Sequence, residues 1–325
     1  MNKIRIGILG SSNIAQKSII PTIVALDHIF ELVGIASRDI VKAKSISSSL
    51  SISAYEGYGT IIDKKHIDAL YIPLPNALHF EFVEKALKNG IHVLVEKSLG
   101  CNFNEVRNLV ELAKKNNLAL MENFQFRFHS QLDFLIKKLE SKELGEIRSL
   151  KASFGFPPFN NLENIRYKKR LGGGALLDAG AYTTKIAQII LGTGLNVEAA
   201  SLIPTSKKEV DIWGNAFLKQ KETGLCASLA FGFDNYYQCG VEIWCSKGKI
   251  STNRLFTAPS SYEPIFEIET AQDKKAIKLP TDNHFVNMLN HFYNCTGDDN
   301  LKEMENKQNL DQARLIEEIK TKNYE

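Results

Sequence analysis

Over roughly the first 120 residues, short apolar runs alternate regularly with amphipathic helical segments, and this alternation constrains the fold more than any other feature. Helices are predicted at 14–26, 40–50, 77–89 and 104–116, with Asn76 capping the third and Gly90 ending it. The apolar runs predict strands at 4–9, 30–37, 69–73, 92–96 and 118–122. This order is typical of an α/β Rossmann fold, a doubly wound parallel sheet covered by helices on both faces.

The pattern changes after residue 121. Strands are predicted at 146–156, 197–204, 210–218, 225–233 and 241–245, and they are joined by short loops rather than by helices. Helices are predicted at 130–141, 181–191, 284–295 and 310–320. A large, mostly antiparallel sheet with helices on one face accounts for this pattern. We therefore predict two domains, a cofactor-binding domain at 1–121 and an α+β substrate and dimerisation domain at 122–325.

Composition excludes several classes of protein. The net charge is +3, from 40 basic and 37 acidic residues, and no basic stripe is interleaved with aromatic residues, which disfavours nucleic-acid binding. The lysine pairs at 64–65, 114–115 and 207–208 are expected on solvated loops or helix ends. No apolar run is long enough to span a bilayer, and the chain begins with a strand rather than a signal peptide.

The five cysteines are odd in number and show neither Cys-x-x-Cys nor Cys/His metal-binding spacing. They are expected to be reduced, mostly buried thiols, and no metal site is predicted. These observations together predict a cytoplasmic protein without a membrane partner.

The segment after the first strand, Gly10-Ser11-Ser12-Asn13-Ile14-Ala15, matches the G-x-G-x-x-G/A pattern with serine at the second position. Gly10 permits a tight strand-to-helix turn, small Ser12 lets the backbone approach a pyrophosphate, and Ala15 allows close packing of helix and strand. The start of a helix supplies free amides and partial positive charge. This context favours dinucleotide binding, although a turn that binds nothing has the same pattern.

The end of the second strand predicts which dinucleotide is bound. NAD-specific proteins usually place an acid there, to hold the 2′-hydroxyl of the ribose. This chain has Ser37 and Arg38, and Asp39 follows one residue too late. A hydroxyl and a guanidinium suit a 2′-phosphate, so the predicted cofactor is NADP(H).

Two further segments carry candidate catalytic groups. Lys97 follows the fourth strand at its carboxyl end, where a lysine can stabilise an alkoxide-like oxygen during hydride transfer. A glycine run at 172–174 precedes an apolar helix that contains Asp178 and Tyr182, four residues apart and expected on one face. The glycines could let a ligand approach the backbone closely, or they could simply precede a structural helix.

Taken together, these segments resemble the glucose–fructose oxidoreductase/inositol dehydrogenase (Gfo/Idh/MocA) family over essentially the whole chain. The resemblance implies that Lys97 is the central catalytic residue and that Asp178 and Tyr182 face the substrate. It also implies that Leu74, Asn76, His79 and Glu96 line the nicotinamide, and that Arg166 lies near cofactor or substrate. The matching pieces are 10–15, 37–38, 71–76 with His79, 96–97, 122–123 with Arg127 and His129, 164–166 and 172–182.

Two departures from the family pattern are informative. Tyr182 stands where many members carry histidine, which resembles the branch of glucose–fructose oxidoreductase, dihydrodiol dehydrogenase and nucleotide-sugar 3-ketoreductases. Ser98 stands where proline normally follows the lysine. Since a cis bond before a residue other than proline costs about 3 kcal/mol, we expect a trans bond between Lys97 and Ser98.

The predicted function is NADP(H)-dependent hydride transfer to or from a sugar carbonyl or alcohol, most specifically reduction of a nucleotide-linked keto-sugar. A dehydrogenase of free sugars, cyclitols or dihydrodiols is an alternative, and a nonenzymatic NADP(H)-binding regulator is an alternative of another class. A methyltransferase on a similar fold is disfavoured by Ser37 and Arg38. The resemblance also implies a homodimer or homotetramer that pairs through the C-terminal sheet.

Overall fold

The computed structural model describes residues 3–63, 66–161, 163–204 and 209–323. Its strands are β1 (Ile4–Leu9), β2 (Phe30–Ser37), β3 (Ser53–Glu56), β4 (Ala69–Ile72), β5 (His92–Glu96), β6 (Leu120–Asn123), β7 (Ile147–Gly155), β8 (Leu195–Pro204), β9 (Asp211–Gln220), β10 (Cys226–Gly232), β11 (Gln238–Cys245), β12 (Gly248–Thr252), β13 (Ile265–Thr270) and β14 (Lys274–Lys278). Its α-helices are α1 (Ile20–Ala25), α2 (Ile40–Ser48), α3 (Gly59–Ile62), α4 (His79–Lys88), α5 (Phe103–Lys115), α6 (Ser130–Glu140), α7 (Ala181–Leu191), α8 (His284–Gly297) and α9 (Asp299–Lys322).

The first sheet has the strand order β3-β2-β1-β4-β5-β6, and every pairing in it is parallel. The predicted doubly wound fold is confirmed. The order reverses direction between β1 and β4, and in such sheets ligands bind beyond the carboxyl ends of the strands at this point. The sheet belongs to a unit formed by Met1–Phe124 and Phe285–Leu310.

Local sequence explains where these helices begin. Asn102 caps α5 by accepting a hydrogen bond from the amide of Glu105 at 3.0 Å, and Asp39 caps α2 in the same way. The predicted cap at Asn76 is wrong. A 3₁₀ turn (Asn76–Leu78) precedes α4 without a side-chain cap, because the Asn76 side chain is hydrogen-bonded elsewhere. Gly90 has the expected positive φ of 75° after α4.

The second sheet has the order β14-β13-β12-β11-β7-β10-β9-β8. All its pairings are antiparallel except that of β7 with β10, so the predicted mostly antiparallel sheet is confirmed. Buried and exposed residues alternate strictly along most of β9, which leaves one face of that strand open to solvent. This sheet belongs to a unit formed by Gln125–His284 and Asp311–Glu325.

The units differ from the predicted division at 121/122. The first ends its N-terminal part at 124 and also takes in Phe285–Leu310, which the sequence analysis assigned to the second domain. Packing within the first unit accounts for the difference. The ring of Tyr293 meets that of Phe30, with centroids 5.9 Å apart, and the Asn309 amide donates to the Leu120 carbonyl at 3.0 Å.

Four strands, the short helix α3 and part of α9 were not predicted. β3 is short and half-exposed, β14 is lysine-rich, and β12 and β13 have polar residues between their apolar positions. α9 begins at Asp299 rather than at 310, because its first turns are polar and lack a clear apolar stripe.

The predictions on lysine pairs, cysteines and membrane spans have different outcomes. Lys114 and Lys115 are exposed at the end of α5, as predicted, whereas the pairs at 64–65 and 207–208 lie outside the described residues. All five cysteines are free thiols, but only Cys239 and Cys295 are buried, so the prediction of mostly buried thiols is wrong. None of the helices described combines the length and the apolar character needed to cross a membrane.

Candidate functional site

The loop after β1 has the geometry of a phosphate-binding turn. Gly10 has a φ of +125°, a conformation that favours glycine, and a Cβ there would lie 3.0 Å from the Leu74 side chain. The Ser12 hydroxyl accepts a hydrogen bond from the Ala15 amide at 3.2 Å. The helical backbone that leads into α1 begins at Asn13. The first amides of a helix have no acceptor within it, so this turn suits the diphosphate of a dinucleotide.

Ser37, Arg38 and Asp39, at the end of β2, lie in three different environments. Ser37 is buried, with its hydroxyl 3.5 Å from that of Ser11, so it lies beside the phosphate turn. Arg38 is exposed, 5.9 Å from the ring centre of Tyr58, and it has no ion pair with any described residue. Asp39 accepts hydrogen bonds from the first amides of α2. This donor set fits a 2′-phosphate better than a 2′-hydroxyl, because Asp39, the acid closest to Arg38 in the sequence, is engaged as the cap of α2.

Glu96, the last residue of β5, is held by the two neighbouring strands. Its Oε1 accepts hydrogen bonds from the Tyr71 hydroxyl at 2.6 Å and from the Asn123 amide at 2.7 Å. Burial raises the pKa of Glu96, while these hydrogen bonds act in the opposite direction. The carboxyl is therefore fixed at the carboxyl edge of the sheet, one residue before Lys97.

The backbone after Lys97 is fixed by side chains from elsewhere in the first unit. The peptide bond between Lys97 and Ser98 is cis, so the predicted trans bond is wrong. That prediction considered only the intrinsic preference of an isolated peptide. In the fold, the Ser98 amide donates to Asn76 Oδ1 at 3.2 Å, and the next amide, of Leu99, donates to Glu122 Oε1 at 2.9 Å.

His79 contacts the same segment through the Ser98 carbonyl. The ring is fully buried, with Nδ1 2.7 Å from the Ser98 carbonyl and Nε2 2.8 Å from the Leu74 carbonyl. Burial lowers the pKa of His79 to about 4, so at neutral pH the ring is neutral and donates one of these two hydrogen bonds. The buried ring of His79 therefore positions the two backbone segments that contain Leu74 and Ser98.

Two glycines of the run at 172–174 pack closely against other parts of the chain. A Cβ on Gly173 would lie 2.4 Å from the Arg166 carbonyl oxygen, and one on Gly174 would lie 2.4 Å from the Asp211 carboxylate. The same carboxylate accepts a hydrogen bond from the Leu176 amide at 2.6 Å. At Gly173 and Gly174 the space beside the Cα atom is therefore filled by the chain's own atoms, which favours the alternative that these glycines precede a structural helix.

The other predicted residues of the second unit form two pairs. Arg166 Nε lies 2.6 Å from Asp178 Oδ2, and its guanidinium covers the ring of Phe159 at 5.0 Å. The Tyr182 hydroxyl lies 3.3 Å from the Gln125 side chain. Asp178 belongs to a π-helical turn (Leu176–Gly180), whereas Tyr182 lies in the first turn of α7. Tyr182 is buried among three rings, those of Phe126, Phe154 and Phe256.

The structure thus brings the predicted residues into local groups. In the first unit these are the phosphate turn with Ser37, the segment 97–99 with Asn76 and His79, and Glu96 with its strand neighbours. In the second unit they are the pair of Arg166 with Asp178 and the pair of Tyr182 with Gln125. The roles predicted for these residues toward cofactor and substrate stay predictions.

Sequence reasoning assigned no role to Tyr71, Glu122, Asn123, Gln125 or Asp211. A signal existed for the first three, because polar residues at the ends of adjacent parallel strands meet at one edge. Gln125 and Asp211 gave no such signal, since each is hydrogen-bonded to a helical residue more than 30 positions away in the chain.

Within the described residues, one group of side chains could hold a metal ion. Ligand atoms of His291, Cys295 and Glu305 all lie within 4.8 Å of one another in the first unit. The histidine Nε2 is hydrogen-bonded to the glutamate at 2.9 Å, which accounts for the arrangement as a polar pair between α8 and α9. None of these residues belongs to the groups described above.

The chain matches two family models. Residues 4–124 match "Oxidoreductase family, NAD-binding Rossmann fold", and residues 135–251 match "GFO/IDH/MocA C-terminal domain".

Similar proteins of known activity cover nearly the whole chain. A dTDP-3,4-didehydro-2,6-dideoxy-α-D-glucose 3-reductase from Actinomadura kijaniata is 34% identical over 98% of this chain and 96% of its own. An NADP⁺-dependent D-xylose 1-dehydrogenase from Haloferax volcanii is 32% identical over 86% of this chain and 85% of its own. The crystal structure of a 3-ketoreductase from Actinomadura kijaniata, in complex with NADP and TDP-benzene, superposes with a TM-score of 0.94 at 34% identity, covering 98% of each chain.

Proposed function

Because the chain belongs to the GFO/IDH/MocA oxidoreductase family, we propose that it is an NADPH-dependent reductase of a ketone on a nucleotide-linked hexose. The observation that carries this proposal is the full-length similarity to a 3-ketoreductase bound to NADP and a TDP derivative. Lys97, Tyr182 and Asp178, to which we assign the chemistry of this reaction, are all present in this chain.

The cofactor part of the proposal is supported by β2 and the turn after β1. The turn offers the first amides of a helix to a diphosphate, and Ser37 with Arg38 offers a hydroxyl and a guanidinium to a 2′-phosphate. When bound, NADPH supplies the hydride that reduces the ketone carbon. Asn76 and Glu96, at the carboxyl edge of the sheet, are proposed to line the nicotinamide.

Lys97 is proposed to act at the reacting oxygen. As the ketone carbon accepts hydride, negative charge develops on its oxygen, and an ammonium held there stabilises it and can supply the proton. The hydrogen bonds of Asn76 and Glu122 to the two following amides fix the backbone from which the ammonium is presented. Tyr182 is proposed as a second donor, with Asp178 and Arg166 orienting sugar hydroxyls or the diphosphate.

We also propose that two copies pair through the open face of the second sheet. Trp213, Phe217, Trp244 and Ile265 are each 40–51% exposed, although they lie on strands. Exposed apolar patches on a sheet are typical of interaction surfaces. A cytoplasmic location is part of the proposal and is supported by the free thiols.

The test is an assay of NADPH oxidation with a panel of substrates. The panel contains 3-keto and 4-keto dTDP-hexoses, free D-xylose, myo-inositol and a trans-dihydrodiol, with the alcohols assayed as NADP⁺ reduction. We expect turnover with a nucleotide-linked ketone and little with the free compounds. Turnover confined to free sugars or dihydrodiols would reject the substrate while leaving the family assignment intact.

A further inference from the structure

Three loops of the second unit meet at one edge of its sheet. β7 and β10 run parallel and end side by side, since Gly155 is paired with Gly232. β11 starts at the same edge, with Gln238 opposite Gly155, and β12 ends there because it is antiparallel to β11. The loops that follow β7, β10 and β12 therefore share this edge with Arg166.

Aromatic contacts connect these loops to the predicted substrate residues. Phe233, after β10, contacts Phe159 with ring centroids 5.8 Å apart, and Phe159 lies under the Arg166 guanidinium. Phe256, after β12, contacts Tyr182 with centroids 5.8 Å apart. The loop after β12 is therefore packed directly against the proposed proton donor of this unit.

Arg254, two residues before Phe256, lies among aromatic rings in this loop. Its guanidinium carbon is 5.6 Å from the ring centre of Tyr237 and 5.8 Å from that of Tyr262. Its Nε lies 3.5 Å from the Thr257 carbonyl, at the limit of a hydrogen bond. Gln131 donates to the Arg254 carbonyl at 3.3 Å, which fixes the backbone. The side chain is thus positioned by rings that leave its terminal nitrogens able to bind an anion.

The charge of Arg254 is not balanced by a carboxylate. No acidic side chain in the described parts of the chain forms an ion pair with it, whereas the Arg166 guanidinium is paired with Asp178 at 2.6 Å. A partly exposed guanidinium without a carboxylate partner remains available to bind an anion. Arginine binds phosphate oxygens in a bidentate manner and is commonly used for that purpose.

We infer that Arg254, held by Tyr237 and Tyr262, binds the diphosphate of the nucleotide-linked substrate. The identity of the ligand rests on the proposed function, while the position of the positive charge rests on the contacts above. Arg254 is accordingly a specificity residue that favours a nucleotide-linked sugar over a free one. It binds away from the reacting carbon and takes no part in proton transfer.

The inference is tested by calorimetric titration of dTDP into the NADP⁺-loaded enzyme. Arg254→Gln should weaken dTDP binding about ten- to a hundredfold, the range expected for one charge-assisted bidentate contact. Arg254→Lys should retain part of the affinity, and the salt dependence of binding should be shallower in Arg254→Gln than in the wild type. The matched control is Arg148→Gln, an exposed arginine at the opposite end of β7.

Steady-state kinetics give a second measurement. With the nucleotide-linked ketone, Arg254→Gln should raise KM by a similar factor while kcat changes no more than a few-fold. Unchanged NADPH affinity and unchanged Tm would show that the variant is folded. A fall in kcat at constant KM would contradict the inference.

The two proposals fail in distinguishable ways. A wild type that binds no dTDP overturns the proposed substrate and this inference with it. A wild type that binds dTDP no better than Arg254→Gln overturns the inference alone. Besides Arg166, the exposed Arg170 in the loop after β7 is a competing partner for a diphosphate. Loss of dTDP binding in Arg170→Gln but not in Arg254→Gln would also overturn the inference.

Discussion

Single residues of the candidate site are positioned mainly by partners distant in the sequence. Asn76 and His79 hold Ser98 from about 20 positions away, and Tyr71 holds Glu96 from 25 positions away. Strand ends and residue types were sufficient to predict Lys97, Ser37 and Arg38 as candidates. They could not predict the hydrogen-bond partners or the cis bond, since these depend on neighbouring strands.

The first prediction concerns Lys97. Lys97→Met removes the ammonium while keeping an unbranched side chain of similar bulk, and kcat should fall at least about a hundredfold, the scale for losing one preorganised charge-stabilising group. NADPH affinity, measured by fluorescence titration, should stay within a few-fold. Lys115→Met, an exposed lysine at the end of α5, serves as the control. Near-normal turnover of Lys97→Met would show that another group acts at the oxygen.

The second prediction concerns Arg38. Arg38→Ala should weaken NADPH binding about ten- to a hundredfold and barely change NADH binding, because only NADPH carries the 2′-phosphate. The control is Lys42→Ala, which removes an exposed positive charge one turn into α2. Equal affinity of the wild-type enzyme for NADPH and NADH would contradict the prediction.

Among the elements, two helices at the candidate site begin irregularly. π-helical turns, Ala15–Ile19 and Leu176–Gly180, precede α1 and α7. Such turns are frequent at functional sites. Apolar periodicity predicted both helices but not the turns, since one added residue in a turn leaves the pattern nearly unchanged. The missed strands β3 and β12–β14 show the same limit, because short, half-exposed strands carry little periodic signal.

The third prediction concerns Gly173, in the loop just before the π-helical turn that precedes α7. A Cβ on Gly173 would overlap the Arg166 carbonyl, which a rigid backbone cannot move away easily. Gly173→Ala should therefore destabilise the fold by about 1–3 kcal/mol, as overpacking typically does, and should lower Tm by several degrees in calorimetry. In Gly59→Ala the added methyl meets only the flexible end of Lys85, so Tm should hardly change. Equal Tm for both variants and the wild type would show that the loop after β7 adapts freely.

At the scale of the whole molecule, two units and one open sheet face are the main features. The change from alternating to consecutive strands predicted two architectures, because βαβ units and antiparallel sheets have different sequence periods. It could not predict that Phe285–Leu310 belongs to the first unit, since helical periodicity does not specify which sheet a helix covers. The open face follows from the prediction of helices on one face of the sheet, and the pairing of two copies through it was expected from the family resemblance.

The fourth prediction concerns that face. Introducing charge at two central positions, Phe217→Glu with Trp244→Glu, should convert a homodimer to a monomer, because each carboxylate would be buried against the partner copy. Light scattering coupled to size exclusion measures the mass. Val41→Glu, on α2 and 72% exposed, is the control and should leave the mass unchanged. A monomeric wild type would refute pairing through this face.

The return of Phe285–Leu310 to the first unit sets the order in which the protein can be completed on the ribosome. Lys302 donates to the Asn117 side chain at 2.9 Å, and Asn309 donates to the carbonyl of Leu120, at the start of β6. Domains generally fold as they emerge, from the N-terminus onward. Here the first unit lacks Phe285–Leu310 until the whole second sheet has been synthesised. The nascent chain must therefore carry an unfinished nucleotide-binding domain through the synthesis of the whole second sheet.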